Sequence, residues 1–367
     1  MKLSCSRSAL ASAFSVVSGV VPSRTTKDIL KNVKVQVAGG AVTLQATDTE
    51  IGMKYTLMEA QSESVGEFLL PASRTGSILK ELIGDTVTFD VEDQLVTIQC
   101  GQSKFKLPVE SADGFPDVTE IPEGFSIKIP AKDLKQQISR TIFATDDEST
   151  RYALGGVLFE VQDNVLKCVS TDGRRMALAQ CACEVTGTMP AGTKPVIPGK
   201  ALQLINRSVN DLETVEIRFQ ANEILVQSTT VVIYSRLIEG RFPNYKDVIP
   251  PSSKVEIDFV CSPLYSAIRQ SMIVTNEETR GVDFRFNAGE LTLISKAADI
   301  GESTIQVPIS YDGEELIARF DPRYLADFLR VLDQAATIQL KLISGDDPAV
   351  FLVGDEYKYV MMPLSRS

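Results

Sequence analysis

One pattern recurs three times along the chain, and it limits the fold more than any other feature. Two runs of alternating apolar residues end in a small acidic turn: Val33, Val35, Val37, then Val42, Leu44 and Asp48. The pattern returns as Val157, Phe159, Val161, then Leu166, Cys168 and Asp172, and again as Val282, Phe284, Phe286, then Leu291, Leu293 and Asp299. The copies lie about 125 residues apart, the size of a domain rather than of a solenoid repeat. A chain of three similar domains builds its shape by repetition, and the question becomes what that shape encloses.

Each repeat resolves into two half-units, each a helix followed by strands. The first helices are led by Leu10, Phe14 and Val17, by Leu134, Ile138 and Ile142, and by Leu264, Ile268 and Met272. That spacing puts the apolar side chains on one stripe, which can lie on a sheet. The second helices read PASRTGSILKELIG, PGKALQLINRSVN and DPRYLADFLRVLD. Each has Pro in its first positions, where a missing amide hydrogen costs nothing. Period-two runs follow at Val87, Phe89, Val91, at Val215, Ile217, Phe219, and at Ile338, Leu340, Leu342. Period two means one buried and one wet face, as in antiparallel sheet. The fold class is therefore α+β, with two helices packed on antiparallel sheets in each of three domains. Alternation lapses in PVESADGFPDVTEIPEGFS and EGRFPNYKDVIPPSSK, where Gly114-Phe115-Pro116-Asp117 resembles Arg241-Phe242-Pro243-Asn244. Domains over residues 1–125, 126–253 and 254–367 follow.

Composition removes whole classes of chemistry. The chain has no histidine, which excludes Ser-His-Asp and Cys-His nucleophile systems and imidazole bases. It has neither a Walker-type phosphate loop nor a dinucleotide-binding glycine fingerprint. Cys5, Cys100, Cys168, Cys181, Cys183 and Cys261 lack metal or framework spacing, so reduced thiols and a cytoplasmic location are expected. No run approaches the roughly 18 apolar residues of a membrane span. Serines throughout MKLSCSRSALASAFSVVSG argue against a secretion signal. No cofactor and no metal is expected. An enzyme would have to work with carboxylates or lysine, and Asp146, Asp147 and Glu148 are the obvious acidic cluster. That cluster stands past a helix end and has no counterpart in the other repeats.

The formal net charge is -11, which by itself argues against nucleic acid. The distribution argues the other way. The helices carry Arg7; Arg74 and Lys80; Lys132, Lys135 and Arg140; Lys200 and Arg207; Arg269; and Arg323 and Arg330. Against few acids, Glu81, Asp133 and Asp327 among them, each helix is net positive by about one or two charges. Two readings stand: solvated faces of amphipathic helices, or a basic lining inside an acidic exterior that draws a polyanion to one place.

At this point the residues resemble the bacterial DNA polymerase III beta subunits, the processivity sliding clamps. The resemblance runs from Met1 to about Arg366. Its specific stretches are the opening MKL, Arg24 with the loop to Ile29-Leu30, RYALGGVLFE at 151–160, STDGRRMAL at 170–178, GRFPNY at 240–245, NEETRGV at 276–282 and YVMMPL at 359–364. It implies three DNA-clamp domains per chain and a head-to-tail homodimer closing a six-domain ring around duplex DNA. Helices would line the hole and sheets form the wall, with the end strands pairing between protomers. It implies a non-catalytic processivity factor that holds the replicative polymerase on DNA by topology. Its phosphate contacts would carry no sequence information.

The resemblance also assigns residues. Arg24, Arg74, Lys200 and the Arg151-Tyr152 pair should lie nearest DNA, with Ala153 where a second Tyr is frequent; Arg24 alone reads equally as a solvated loop charge. A pocket for short peptides of the clamp loader, polymerases and repair proteins should comprise Leu154, Thr171, Gly173, Arg175, Met176, Pro243, Val248, Val360, Met362, Pro363 and Leu364. Taken alone, YVMMPL reads as a last core strand. Arg174 stands where some relatives have His, Met176 where Leu is common, Asp247 where a basic residue occurs and Ser365 where Arg is usual. The rim is thus expected to prefer different peptide flanks. The protomer interface should set Phe105 and Leu107 against Ile273 and Val274, with Asp299 and Glu302 facing Lys104 and Lys106. The rival reading is a repeat scaffold that does not bind DNA.

Overall fold

The computed structural model describes residues 1–58, 60–62, 64–118, 122–146, 148, 153–189, 193–276 and 280–365. Six α-helices are formed where the apolar stripes predict them: α1 (Arg7–Ser18), α2 (Ala72–Glu81), α3 (Ala131–Thr141), α4 (Gly199–Ser208), α5 (Cys261–Ser271) and α6 (Pro322–Arg330). Leu10, Phe14 and Val17 are buried, as are Leu134 and Ile138, and Leu264 and Ile268. Ile142 and Met272 fall instead in 3-10 turns, Ile142–Ala144 and Met272–Val274, that follow α3 and α5. Pro322 is the first residue of α6, whereas Pro71 and Pro198 stand one residue before α2 and α4 and also end a strand. The Ser6 hydroxyl caps α1 by accepting from the Ala9 amide, and the Asp321 carboxylate caps α6 by accepting from the Arg323 amide. Each cap satisfies an amide that a first turn leaves unpaired.

The chain divides into two compact units, Met1–Lys135 with Cys183–Leu237, and Gln136–Ala182 with Ile238–Ser367. A repeat and a unit are different things here, because sheets run on from one repeat into the next. In the first unit Val231–Arg236 pairs antiparallel with Ile51–Leu57, inside a nine-stranded sheet. In the second unit Arg175–Ala182 pairs antiparallel with Tyr357–Met361. Each junction satisfies two strand edges that would otherwise expose unpaired amides and carbonyls. A five-stranded sheet in the first unit ends on Ser103–Pro108, and a four-stranded sheet in the second ends on Gly301–Pro308.

The repeated hairpins are antiparallel, Val37 opposite Val42, Val161 opposite Leu166 and Phe286 opposite Leu291. Asp163 and Asn164 at the second hairpin both take positive φ, 52° and 60°. That pair of left-handed residues matches the right-handed twist of the flanking strands, and Asp and Asn tolerate it.

The core of the second unit is built on aromatic rings. Phe328 of α6 stacks on Tyr359, with centroids 4.7 Å apart and planes 9° apart. Phe351 and Tyr357 flank it at 5.7 and 5.3 Å. The Tyr357 hydroxyl donates to the Arg140 carbonyl at 2.6 Å and the Tyr359 hydroxyl to the Tyr324 carbonyl at 2.8 Å. Burial pushes both phenols well above their ordinary range. They therefore remain neutral donors, as satisfied polar groups in a core must.

Candidate functional site

A recess of the second unit begins at an acidic turn of the repeat. The Thr171 hydroxyl donates to the Arg175 carbonyl at 2.7 Å and accepts from the Gly173 amide at 3.1 Å. One oxygen of Asp172 accepts from the amides of Arg174 and Arg175. Gly173 has φ +84°, which a side chain would resist. The first repeat builds the same turn: the Thr47 hydroxyl donates to the Ile51 carbonyl, and Asp48 accepts from the Glu50 and Ile51 amides.

Here the turn opens a pocket of about 410 Å³. Its lining includes Leu154, Thr171, Gly173, Arg175, Met176, Pro243, Val248, Val360 and Met362, all expected from sequence, together with Arg174, Arg241, Asn244 and Tyr245. Met176 and Val360 face each other across paired strands and are 2% exposed. Pro363 and Leu364 do not line it; the Leu364 amide donates to the Arg319 carbonyl at 2.7 Å, which ties the tail down beside the pocket. The Met362 amide likewise donates to the Arg174 carbonyl. Tyr245 was missed in the sequence because nothing in the linker's composition shows where its ring goes. It is buried, its hydroxyl donates to Glu160 Oε2, and burial followed by that carboxylate raises its pKa well above the ordinary value.

Arg175 supports the pocket more than it lines it. Nε donates to Asp172 at 2.9 Å, Nη1 to Asp327 at 2.8 Å and Nη2 to the Phe143 carbonyl at 2.7 Å. The Tyr324 ring lies 4.5 Å from the guanidinium carbon. Burial alone would lower its pKa, but Tyr359, Asp327 and Asp172 outweigh that and hold it raised. A planar fork satisfied on three sides is what Arg, and not Lys, can supply.

The same position in the first repeat has no room. Gly52 stands where Met176 stands in the second, and a Cβ there would meet Val118 at 3.0 Å. Val118 packs with Leu225 and Tyr234. The linker residue that corresponds to Tyr245 therefore covers the sheet instead of leaving it open.

The helix cations fall into two groups. Arg74, Lys80, Lys132, Arg207, Arg269 and Arg330 are exposed, as is Arg24 in the segment after α1. Arg330 also pairs with Asp327 at 3.3 Å, and Lys200 with Asp48 at 2.6 Å while its side chain stays 50% exposed. Lys135 pairs with Asp211, and Arg323 with Asp321. Arg140 is drawn inward, its guanidinium 5.1 Å from the centre of the Tyr357 ring. Arg7 and Lys80 line a groove between α1 and α2 with Ser12, Ser15, Ser73 and Ser77. Arg151, Tyr152 and Asp147 lie outside the described residues.

At the sheet ends, Phe105 is 39% and Ile273 75% exposed, and Val274 is half-buried. Lys104 and Lys106 are exposed on the same edge strand as Phe105. Leu107 is buried in its own unit, because it faces Val96 and completes that core. Asp299 accepts from Asn276, and Glu302 pairs with Lys296 at 2.9 Å.

Three family models for the DNA polymerase III beta subunit match the chain: the N-terminal domain over 1–119, the central domain over 128–244 and the C-terminal domain over 246–365. The chain belongs to the DNA polymerase III beta subunit family. A beta sliding clamp of Pseudomonas putida is 30% identical over 370 residues, 99% of this chain and 100% of the relative. The crystal structure of the Pseudomonas aeruginosa clamp bound to griselimycin superposes with a TM-score of 0.92 at 28% identity, and that of Bacillus subtilis with 0.90 at 27%. Both comparisons cover 100% of each chain. This clamp is accordingly a non-catalytic processivity factor of DNA replication, and the reading as a scaffold indifferent to DNA is set aside. None of its described helices is long and apolar enough to cross a membrane.

Proposed function

We propose that two copies of this chain close head to tail around duplex DNA, and that the ring slides because its cations touch phosphates without reading bases. Each copy contributes three domains, over 1–125, 126–253 and 254–367. The observation that carries the reading is the pair of open sheet edges, Ser103–Pro108 at one end of the five-stranded sheet and Gly301–Pro308 at one end of the four-stranded sheet. Such edges invite pairing with another chain. Phe105 and Ile273, exposed beside them, supply apolar surface, and Lys104, Lys106, Asp299 and Glu302 add exposed pairs worth about 0–1 kcal/mol each. The exposed Arg24, Arg74, Lys80, Lys132, Lys200, Arg207, Arg269 and Arg330 are the proposed phosphate contacts; Arg151 and Tyr152 join them by family resemblance. Arg140, Lys135 and Arg323 are proposed as weaker contributors, since each is half-buried as well as partnered, whereas Lys200 and Arg330 stay exposed. The protein acts in the cytoplasm and takes no cofactor.

The pocket beside Met176 and Val360 is the proposed seat for short apolar peptides of the polymerase, the clamp loader and repair proteins. Its apolar floor and adaptable Met side chains suit several partners at one site. Deleting Met362–Ser367 is expected to weaken binding of a dye-labelled peptide with two adjacent leucines by more than about tenfold, since it removes one wall and the ties beneath it. Light scattering should still report a dimer. Loss of the dimer would assign the tail to assembly instead.

A further inference from the structure

The two linkers of like sequence take different courses, and each course follows from what ties the linker down. In the first unit the Pro116 carbonyl accepts from Gln45 Nε2 at 2.9 Å, and Asp117 lies 3.7 Å from Lys34 Nζ. These ties hold Val118 over Gly52. Lys34 and Gln45 stand opposite each other on paired strands, and the repeat puts Leu158 and Val169 at the same two places in the second unit. Both are fully buried, and neither side chain can hold a linker by a hydrogen bond. The second linker has a different tie. Among the described residues, the bond from the Tyr245 hydroxyl to Glu160 Oε2 is the one hydrogen bond that joins residues 241–250 to the rest of the chain. The other bonds of that segment close on itself: Asn244 to Asp247, and the amides of Asp247 and Ile249 to carbonyls three residues back. Arg241, Pro243, Asn244, Tyr245 and Val248 of this segment line the pocket, and Glu160 does not.

We propose that Glu160 is a positioning residue: through the Tyr245 hydroxyl it fixes the linker as a ready-made pocket wall before a peptide arrives. The proposal rests on the reading of this recess as a peptide seat. A wall ordered in advance spares the ligand the cost of ordering it. A wall in place only part of the time lowers apparent affinity by that fraction. The tie is suited to the task, because a hydroxyl donating to a carboxylate is stronger than a bond between neutral groups. At the place of Glu160 the first repeat has Gln36, which is exposed and makes no hydrogen bond to its linker among the described residues. One strand position thus separates a linker held out as a wall from one laid over the sheet.

The test reads fluorescence anisotropy of a dye-labelled peptide with a Leu-Leu pair on the full-length protein and on Glu160→Ala, Glu160→Gln, Tyr245→Phe and the double variant Glu160→Ala with Tyr245→Phe. Glu160→Ala and Tyr245→Phe should each weaken binding about tenfold, the size of a hydrogen bond to a charged group. The double variant should be no worse than either single one, since both remove the same bond. Glu160→Gln keeps a neutral acceptor and should fall between wild type and Glu160→Ala. Hydrogen exchange on the same proteins should show the Asp247 and Ile249 amides exchanging faster in Glu160→Ala and Tyr245→Phe, with Gly156–Gln162 still protected. Wild-type affinity in Glu160→Ala, losses that multiply in the double variant, or weaker binding with unchanged linker exchange overturns the positioning role. Loss of protection across Gly156–Gln162 overturns it as well, by assigning Glu160 to the stability of its own strand. Failure of the peptide to bind wild type overturns the reading of the pocket itself.

Discussion

Arg175→Ala should lower stability by about 3 kcal/mol and weaken pocket ligands well beyond what a lost contact explains. Breaking a buried ion pair by removing one partner costs about 3–5 kcal/mol, because the other charge stays buried. Arg175 is 10% exposed at its side chain, and it leaves two carboxylates behind, Asp172 at 15% and Asp327 at 31%. Asp327 keeps Arg330 and Asp172 keeps two amide donors, so neither is wholly stranded and the low end of the range applies. In the second unit this amounts to a fall in midpoint of about 6–12 °C. Arg175→Lys keeps the charge but reaches fewer of the three acceptors, so it should recover only part of the loss. Thermal denaturation together with peptide titration checks both. A pocket that binds normally in Arg175→Ala would make the residue a bystander.

The second large effect is expected at Phe328→Ala. Phe328 is fully buried and touches three further rings, among them the stacked Tyr359. Truncation removes the transfer energy of the ring and leaves a cavity walled by aromatic rings that cannot collapse into it, about 3–5 kcal/mol in total. The hydroxyls of Tyr357 and Tyr359 are anchored to carbonyls, which pins the rings beside the hole. Scanning calorimetry should show the second unit melting about 6–20 °C lower. Melting of the first unit is the internal control, because its core does not contain Phe328. A shift confined to the first unit, or none at all, would mean that the aromatic cluster does not hold this core.

Much of this was legible in the sequence because both periodicities report burial. Leu10, Phe14 and Val17 mark a helix stripe, and Val33, Val35 and Val37 mark a strand face; all six are buried. The turns were legible too, since Thr47-Asp48 and Thr171-Asp172 bond their own backbone within four residues. What was hidden depends on residues far apart in the chain. Arg140 reads as one more helix cation until Tyr357, 217 residues away, is brought beneath it. Leu107 reads as an edge residue until Val96 is seen to take it into the core. The pocket's outer wall, Arg241, Asn244 and Tyr245, comes from a linker with no periodicity to read, although its likeness to Gly114-Phe115-Pro116-Asp117 marked it as a repeated element. Phe115 and Phe242 are buried alike, and the two copies part only at the next residues, where Val118 covers Gly52 and Tyr245 turns to Glu160.

Encirclement makes one claim that ordinary binding does not. A ring held by topology leaves DNA only through a free end, whereas a protein held by weak phosphate contacts leaves from anywhere. The labelled protein is loaded onto nicked circular DNA with a clamp loader and ATP, and the circle is then cut once in moderate salt. Retention on the uncut circle, with rapid loss after cutting, is the predicted result. Equal retention on cut and uncut DNA would contradict the account.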